Sequence, residues 1–168
     1  MQSMSRIIAH KDPKLPPALH VAEGPEWAAG LKILDAAAAA SLVAVVQTLC
    51  PHDDLSIIPY RRVVCHLDRL AAAAEDAAGM LTGFGQLLAE AWPLPFHALA
   101  QTYRIQALKR IDSTPQFFFV QRMAVRFLYD DVETWSAFGY EGASFHLGGY
   151  VTRGFDDLDW LPPLPNDI

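Results

Sequence analysis

Proline sets the punctuation of this chain, and the stretches between prolines carry apolar residues at helical spacing. Asp35 suits an N-cap, and an alanine run with Leu42, Val45, Val46 and Leu49 makes a helix to Leu49, stopped by Pro51. Pro59 fits the first turn of a second helix, where Val63, Val64, Leu67, Leu70, Ala71 and Ala74 recur through Glu75. Gly79 is expected to break that pattern, which resumes from Leu81 to Trp92 and ends at Pro93 and Pro95. A fourth helix is expected from Phe96 to Ile111, with Leu99, Tyr103 and Leu108 on its apolar face. Ser113 or Thr114 caps a fifth, with Pro115 in its first turn and Phe117, Phe118, Val120, Val125 and Leu128 along it. A short helical turn from Val132 to Phe138 closes at Gly139.

The expectation is therefore an all-α fold: a single compact helical domain of about five helices. Residues 1–30 form an irregular N-terminal arm, 35–138 the helical core, and 139–168 an ordered tail rich in glycine and aromatic residues. The chain has 168 residues, enough for one domain with a real core. A hydrophobic fraction of 52% is high for a chain of this size, and it fits either a well-filled core rich in alanine or a surface meant to be covered by a partner.

A net charge of −6 argues against nucleic acid or anionic lipid as the main ligand. The densest cationic group is Arg104, Lys109 and Arg110, and Arg122 and Arg126 share one helix face further on. The longest apolar stretch, Ala36 to Leu49, is too short to span a bilayer, so no membrane insertion is expected. Met1 to Pro17 lacks an apolar leader, and the twin arginine Arg61-Arg62 lies mid-chain, so the protein is expected in the cytoplasm. A periplasmic site would require carriage by a partner or a leader already removed. Cys50 and Cys65 each sit in an apolar stretch and read as buried free thiols.

Every candidate catalytic site is incomplete. Gly142-Ala143-Ser144-Phe145-His146 lacks the final glycine of a nucleophile elbow, and no strand leads into it. His52-Asp53-Asp54 offers three metal ligands in a row, but consecutive residues rarely converge on one ion; a turn before the next helix explains them. Cys65 and His66 point about 100° apart on a helix and form no nucleophile pair. Asp130-Asp131 and Asp156-Asp157 read as caps at element ends, and no glycine loop follows a strand to bind a nucleotide. No catalytic residue, cofactor site or metal site is expected in this chain.

Three segments, in order, carry a family resemblance. Thr48-Leu49-Cys50-Pro51-His52-Asp53 looks like a leucine-x-proline-x-aspartate helix end, and Phe117-Phe118 leads to Arg122 in a paired-phenylalanine helix. Trp135, Gly139-Tyr140-Glu141-Gly142, Gly148-Gly149-Tyr150 and Asp159-Trp160 form a closing stretch of glycines with a late tryptophan. Over residues 40 to 163 the chain resembles the gluconate 2-dehydrogenase subunit 3 family, small subunits of membrane- or cytochrome-linked flavin dehydrogenases. The resemblance implies a non-catalytic subunit that stabilises or matures a large FAD-containing partner of the glucose-methanol-choline type. That partner would oxidise a sugar, sugar acid, polyol or glycoside, and pass electrons to a cytochrome c or another acceptor. FAD is expected in the partner, not in this chain.

Family members often carry a twin-arginine leader, and this chain departs from that pattern, which favours a stabilising over an export role. The partner-binding residues expected here are Trp135, Tyr140, Tyr150, Phe155 and Trp160. Two other readings stay open. One is an interaction or chaperone module for an unrelated partner. The other is a free-standing enzyme with a site drawn from His52, His66, His97 or His146.

Overall fold

In the computed structural model, which describes residues 19–140 together with Gly142, Phe145 and Gly149, local signals start the main helices. The Asp35 carboxylate accepts from the Ala38 N–H at 2.7 Å and opens α1, Ala36–Leu49. Ser56 caps α2, Ile57–Ala73, by accepting from the Ile58 N–H. α3 spans Glu75–Ala91, with Glu75 and Asp76 placing negative charge at its N-terminal end. α4 spans Gln101–Ile111. Thr114 caps α5, Pro115–Tyr129, with Pro115 at its start as expected. Asp131 caps the short α6, Val132–Ala137, and Gly139 follows with φ +71°, a backbone conformation that glycine adopts without strain. The described residues form helices and turns, with no strand, so the fold is all-α.

Three boundaries differ from the sequence expectation. The second and third helices separate at Ala74, whose φ −142° and ψ 124° are extended; Gly79 lies inside α3 on its exposed side. A glycine facing solvent in mid-helix costs propensity but leaves the hydrogen-bond ladder intact. Phe96–Ala98 is a separate 3-10 turn rather than the start of α4, because Leu99 and Ala100 are extended. The Arg104 side chain holds that turn by donating to the His97 carbonyl at 2.7 Å. The N-terminal arm contains a 3-10 turn too, Pro25–Ala28, started by Gly24-Pro25.

One core joins these helices. α1 packs on α2, α4, α5 and the Phe96–Ala98 turn, while α3 packs on α2, α4 and α5. Its fully buried side chains include Val45, Val46, Tyr60, Leu67, Phe84, Val120 and Leu128. The Tyr60 hydroxyl, buried with them, donates to the Cys50 carbonyl at 3.0 Å and so carries no unpaired polar group inward. Buried α3 positions Ala77, Leu81, Phe84, Leu88 and Ala91 follow helical spacing.

Buried charge fastens both ends of the helical unit. Asp68 on α2 is 2% exposed and accepts from the backbone N–H groups of Lys32, Ile33 and Leu34 at 2.8–3.0 Å. That arrangement seats the chain before α1, and Trp27, Leu31 and Leu34 pack against the core. At the other end Arg62 on α2 reaches Asp131 and Glu133 of the α6 start.

Candidate functional site

α5 carries more apolar surface than the core covers. Phe117, Val120, Ala124 and Leu128 face inward, while Phe118, Val125 and Tyr129 stand on the outer side. Phe118, expected in the buried stripe, is 51% exposed, and Val125 is 44% exposed. Both corrections have one cause. The interior receives a single stripe of α5, and no described element covers the rest. The spacing 118, 125, 129 keeps these side chains on one helix face. Tyr103, expected on the apolar face of the fourth helix, also lies outside; its ring packs on Trp92 at 5.2 Å.

The α5 face continues into an aromatic cluster at the α6 corner. Tyr129 stacks on Phe138 with centroids 6.1 Å apart, and His52 meets Phe138 edge-on at 4.8 Å. His52 Nε2 and the Tyr129 hydroxyl are 2.8 Å apart in a hydrogen bond. Trp135 donates from Nε1 to the Tyr129 carbonyl at 2.6 Å and meets Tyr140 edge-to-face at 5.4 Å. Of the five partner-binding residues expected from sequence, Trp135 and Tyr140 are thus neighbours, and Tyr140 is exposed. Tyr150, Phe155 and Trp160 lie outside the described residues. Phe118, Val125, Tyr129 and Phe138 were not anticipated as surface residues. For the three on α5 the signal was present: α5 is apolar around more than one face, which a half-buried helix does not need.

Burial pushes the Cys50 thiol up, against a smaller lowering by its hydrogen bond with Tyr129, which keeps the sulfur protonated and weakly nucleophilic. Burial raises the Tyr129 phenol as well. Cys65 is a second buried free thiol, also raised by burial.

The histidines are dispersed. His52 bonds Tyr129, His66 stacks on Phe127 at 4.9 Å, and His97 Nδ1 bonds the Ser41 hydroxyl at 3.0 Å. Burial, with Arg69 adding to it, holds His66 below the ordinary imidazole range. His146 lies outside the described residues. Asp53 and Asp54 form the turn after α1, while Ser56 rather than either aspartate caps α2. Among the described residues no group of three or more His, Cys, Asp or Glu side chains is placed to hold a metal ion. No helix among them is long and apolar enough to cross a membrane.

Comparison with protein-family models, with curated proteins and with solved structures finds no match.

Proposed function

We propose that this chain is a non-catalytic subunit that stabilises or matures a larger FAD-dependent dehydrogenase, docking through the outer face of α5 and the α6 corner. The exposed row Phe118, Val125 and Tyr129, continued by Phe138 and Tyr140, carries the docking part of this reading. Aromatic anchors of this kind dominate binding energies once desolvated. The resemblance to the gluconate 2-dehydrogenase subunit 3 family supports the choice of partner, which would hold the FAD and oxidise a sugar, sugar acid, polyol or glycoside. In this reading a cytochrome c or other acceptor takes the electrons, and the assembly works in the cytoplasm unless its partner carries it out.

The test is capture of the tagged full chain from its native lysate, followed by a visible absorption spectrum. The expected result is a yellow complex with flavin bands and a stoichiometric partner several times larger. A colourless chain eluting alone would overturn the reading. A stoichiometric partner without flavin would replace it with an interaction module for another class of protein, which the same aromatic face would also serve.

A further inference from the structure

A concave surface lies away from the α5–α6 face. It opens between α1 and α3, is closed at one end by the link from Trp92 to Phe96, and encloses about 340 Å³. We infer that this pocket binds a small, uncharged, largely hydrocarbon molecule bearing one hydrogen-bonding group. This inference stands on different residues from the docking surface and holds whether or not the flavoprotein partner exists.

The size of the pocket is near the lower end of the range for small-molecule sites, roughly 300–1,000 Å³. Among the described residues its lining contains no ionisable side chain, so a charged ligand would lose its hydration without gaining a partner. Phe84, Leu88 and Trp92 form one wall, and Leu34 and Leu42 stand across from them on the α1 side. Water is poorly held in such surroundings, and an apolar group that displaces it gains affinity.

One polar group is placed there. Among the described residues Ser41 alone brings a hydroxyl to the lining, and it is bonded to His97 Nδ1 at 3.0 Å. A serine hydroxyl offers one donor and two acceptor positions, so whichever tautomer His97 adopts, the bond to it leaves an acceptor position on Ser41 open to a further partner. A ligand with a single neutral N–H or O–H donor matches that provision, and a polyol or sugar, with many polar groups for an apolar lining, does not.

The pocket is also preformed. Trp92 is held from behind by the Arg110 guanidinium, 5.0 Å above its ring, and by Tyr103. Arg110 is itself fixed by donating to the Ala91 carbonyl at 2.7 Å. On the α3 side the pocket is lined by Gly85, which is itself exposed. A Cβ built on Gly85 meets nothing within 4 Å, so the volume is open rather than filled by a neighbour.

The experiment is a fluorescence titration of the full chain with N-phenyl-1-naphthylamine, an uncharged two-aromatic probe with one N–H. Saturable binding of one probe per chain is expected. Gly85→Leu projects a side chain into the open volume and is expected to weaken binding at least tenfold while circular dichroism and melting temperature are kept. Ala89→Phe, one turn further along the same wall, is the second blocking variant should Gly85→Leu fail to fold. Ser41→Ala is expected to weaken the probe roughly three- to tenfold, as for loss of one hydrogen bond, and to leave naphthalene, which has no polar group, unaffected. Absence of saturable binding would overturn the inference, and so would full affinity in a folded blocking variant.

Discussion

Arg62 Nε lies 2.9 Å from the Asp131 carboxylate, and both side chains are more than nine-tenths buried. The contact is an ion pair without hydrogen-bond alignment at Nε, and Glu133 takes the other arm of the guanidinium. It joins the middle of α2 to the cap of α6, and so it holds the aromatic corner on the helical core.

Removing one partner of a buried pair strands the other. Arg62→Leu is expected to destabilise the protein by about 3 kcal/mol in denaturant unfolding. Burial already holds the Asp131 carboxyl above its ordinary value, and Arg62 is the cation that opposes this. An acid with a raised folded pKa favours the fold most when protonated, and that contribution is lost as pH rises through the folded value. The deficit of Arg62→Leu should therefore shrink between about pH 7.5 and pH 4.5. A deficit independent of pH would assign the loss to packing of the arginine stem instead.

Asp68 satisfies three consecutive backbone N–H groups ahead of α1. Asp68→Ala leaves them without a partner and is expected to cost at least about 3 kcal/mol, since hydrogen bonds to a charged group are the stronger kind. Amide exchange at Lys32, Ile33 and Leu34 should accelerate more than exchange in α5. Uniform acceleration across the chain would show that the segment and the core unfold together.

His66 is half-buried against Phe127, facing Asp130 and Asp131 as well as Arg62 and Arg69. Its folded pKa is lowered, with burial the leading cause, so its contribution is present above the unfolded value near 6.5 and is lost as pH falls through the folded value. His66→Phe keeps the ring contact and removes the titration. The drop in melting temperature from about pH 7.5 to pH 5.5 is expected to be smaller in the variant than in the native chain.

Gly79 lies inside α3 on its solvent side, and a Cβ there meets no atom within 4 Å. Gly79→Ala is expected to raise stability by up to about 1 kcal/mol, from helix propensity alone. A loss of stability would mean that α3 is less regular at this turn than its hydrogen bonding indicates.

Phe118 and Val125 stand outside the core, so the double variant Phe118→Lys, Val125→Lys should unfold within about 0.5 kcal/mol of the native chain. Its capture of the large partner from lysate is expected to fall at least tenfold. Unchanged capture would move the docking surface elsewhere.

Several element ends are readable from the sequence because their causes lie within four residues. Asp35 and Ala38, Thr114 with Pro115, and Asp131 with Glu133 show this directly, since a cap needs only its own side chain and the next free amides. Periodicity likewise identifies the buried stripe of α3. It does not tell which part of a wide stripe is covered. Phe117 and Phe118 are the same residue type side by side, and only the placement of α2 and α3 against α5 makes the first core and the second surface. The sequence reads Gly79 as a helix break, yet the chain leaves the helical conformation at Ala74 and α2 and α3 pack on each other from there.

What the sequence alone determined is therefore local: an all-α chain, its caps, its proline stops and its surplus of apolar residues. The tertiary structure decided the rest, because those outcomes join residues far apart in the chain. Asp68 gathers amides more than thirty positions away, Arg62 meets Asp131 across the length of three intervening helices, and residues of α1 and α3 come together to line one pocket.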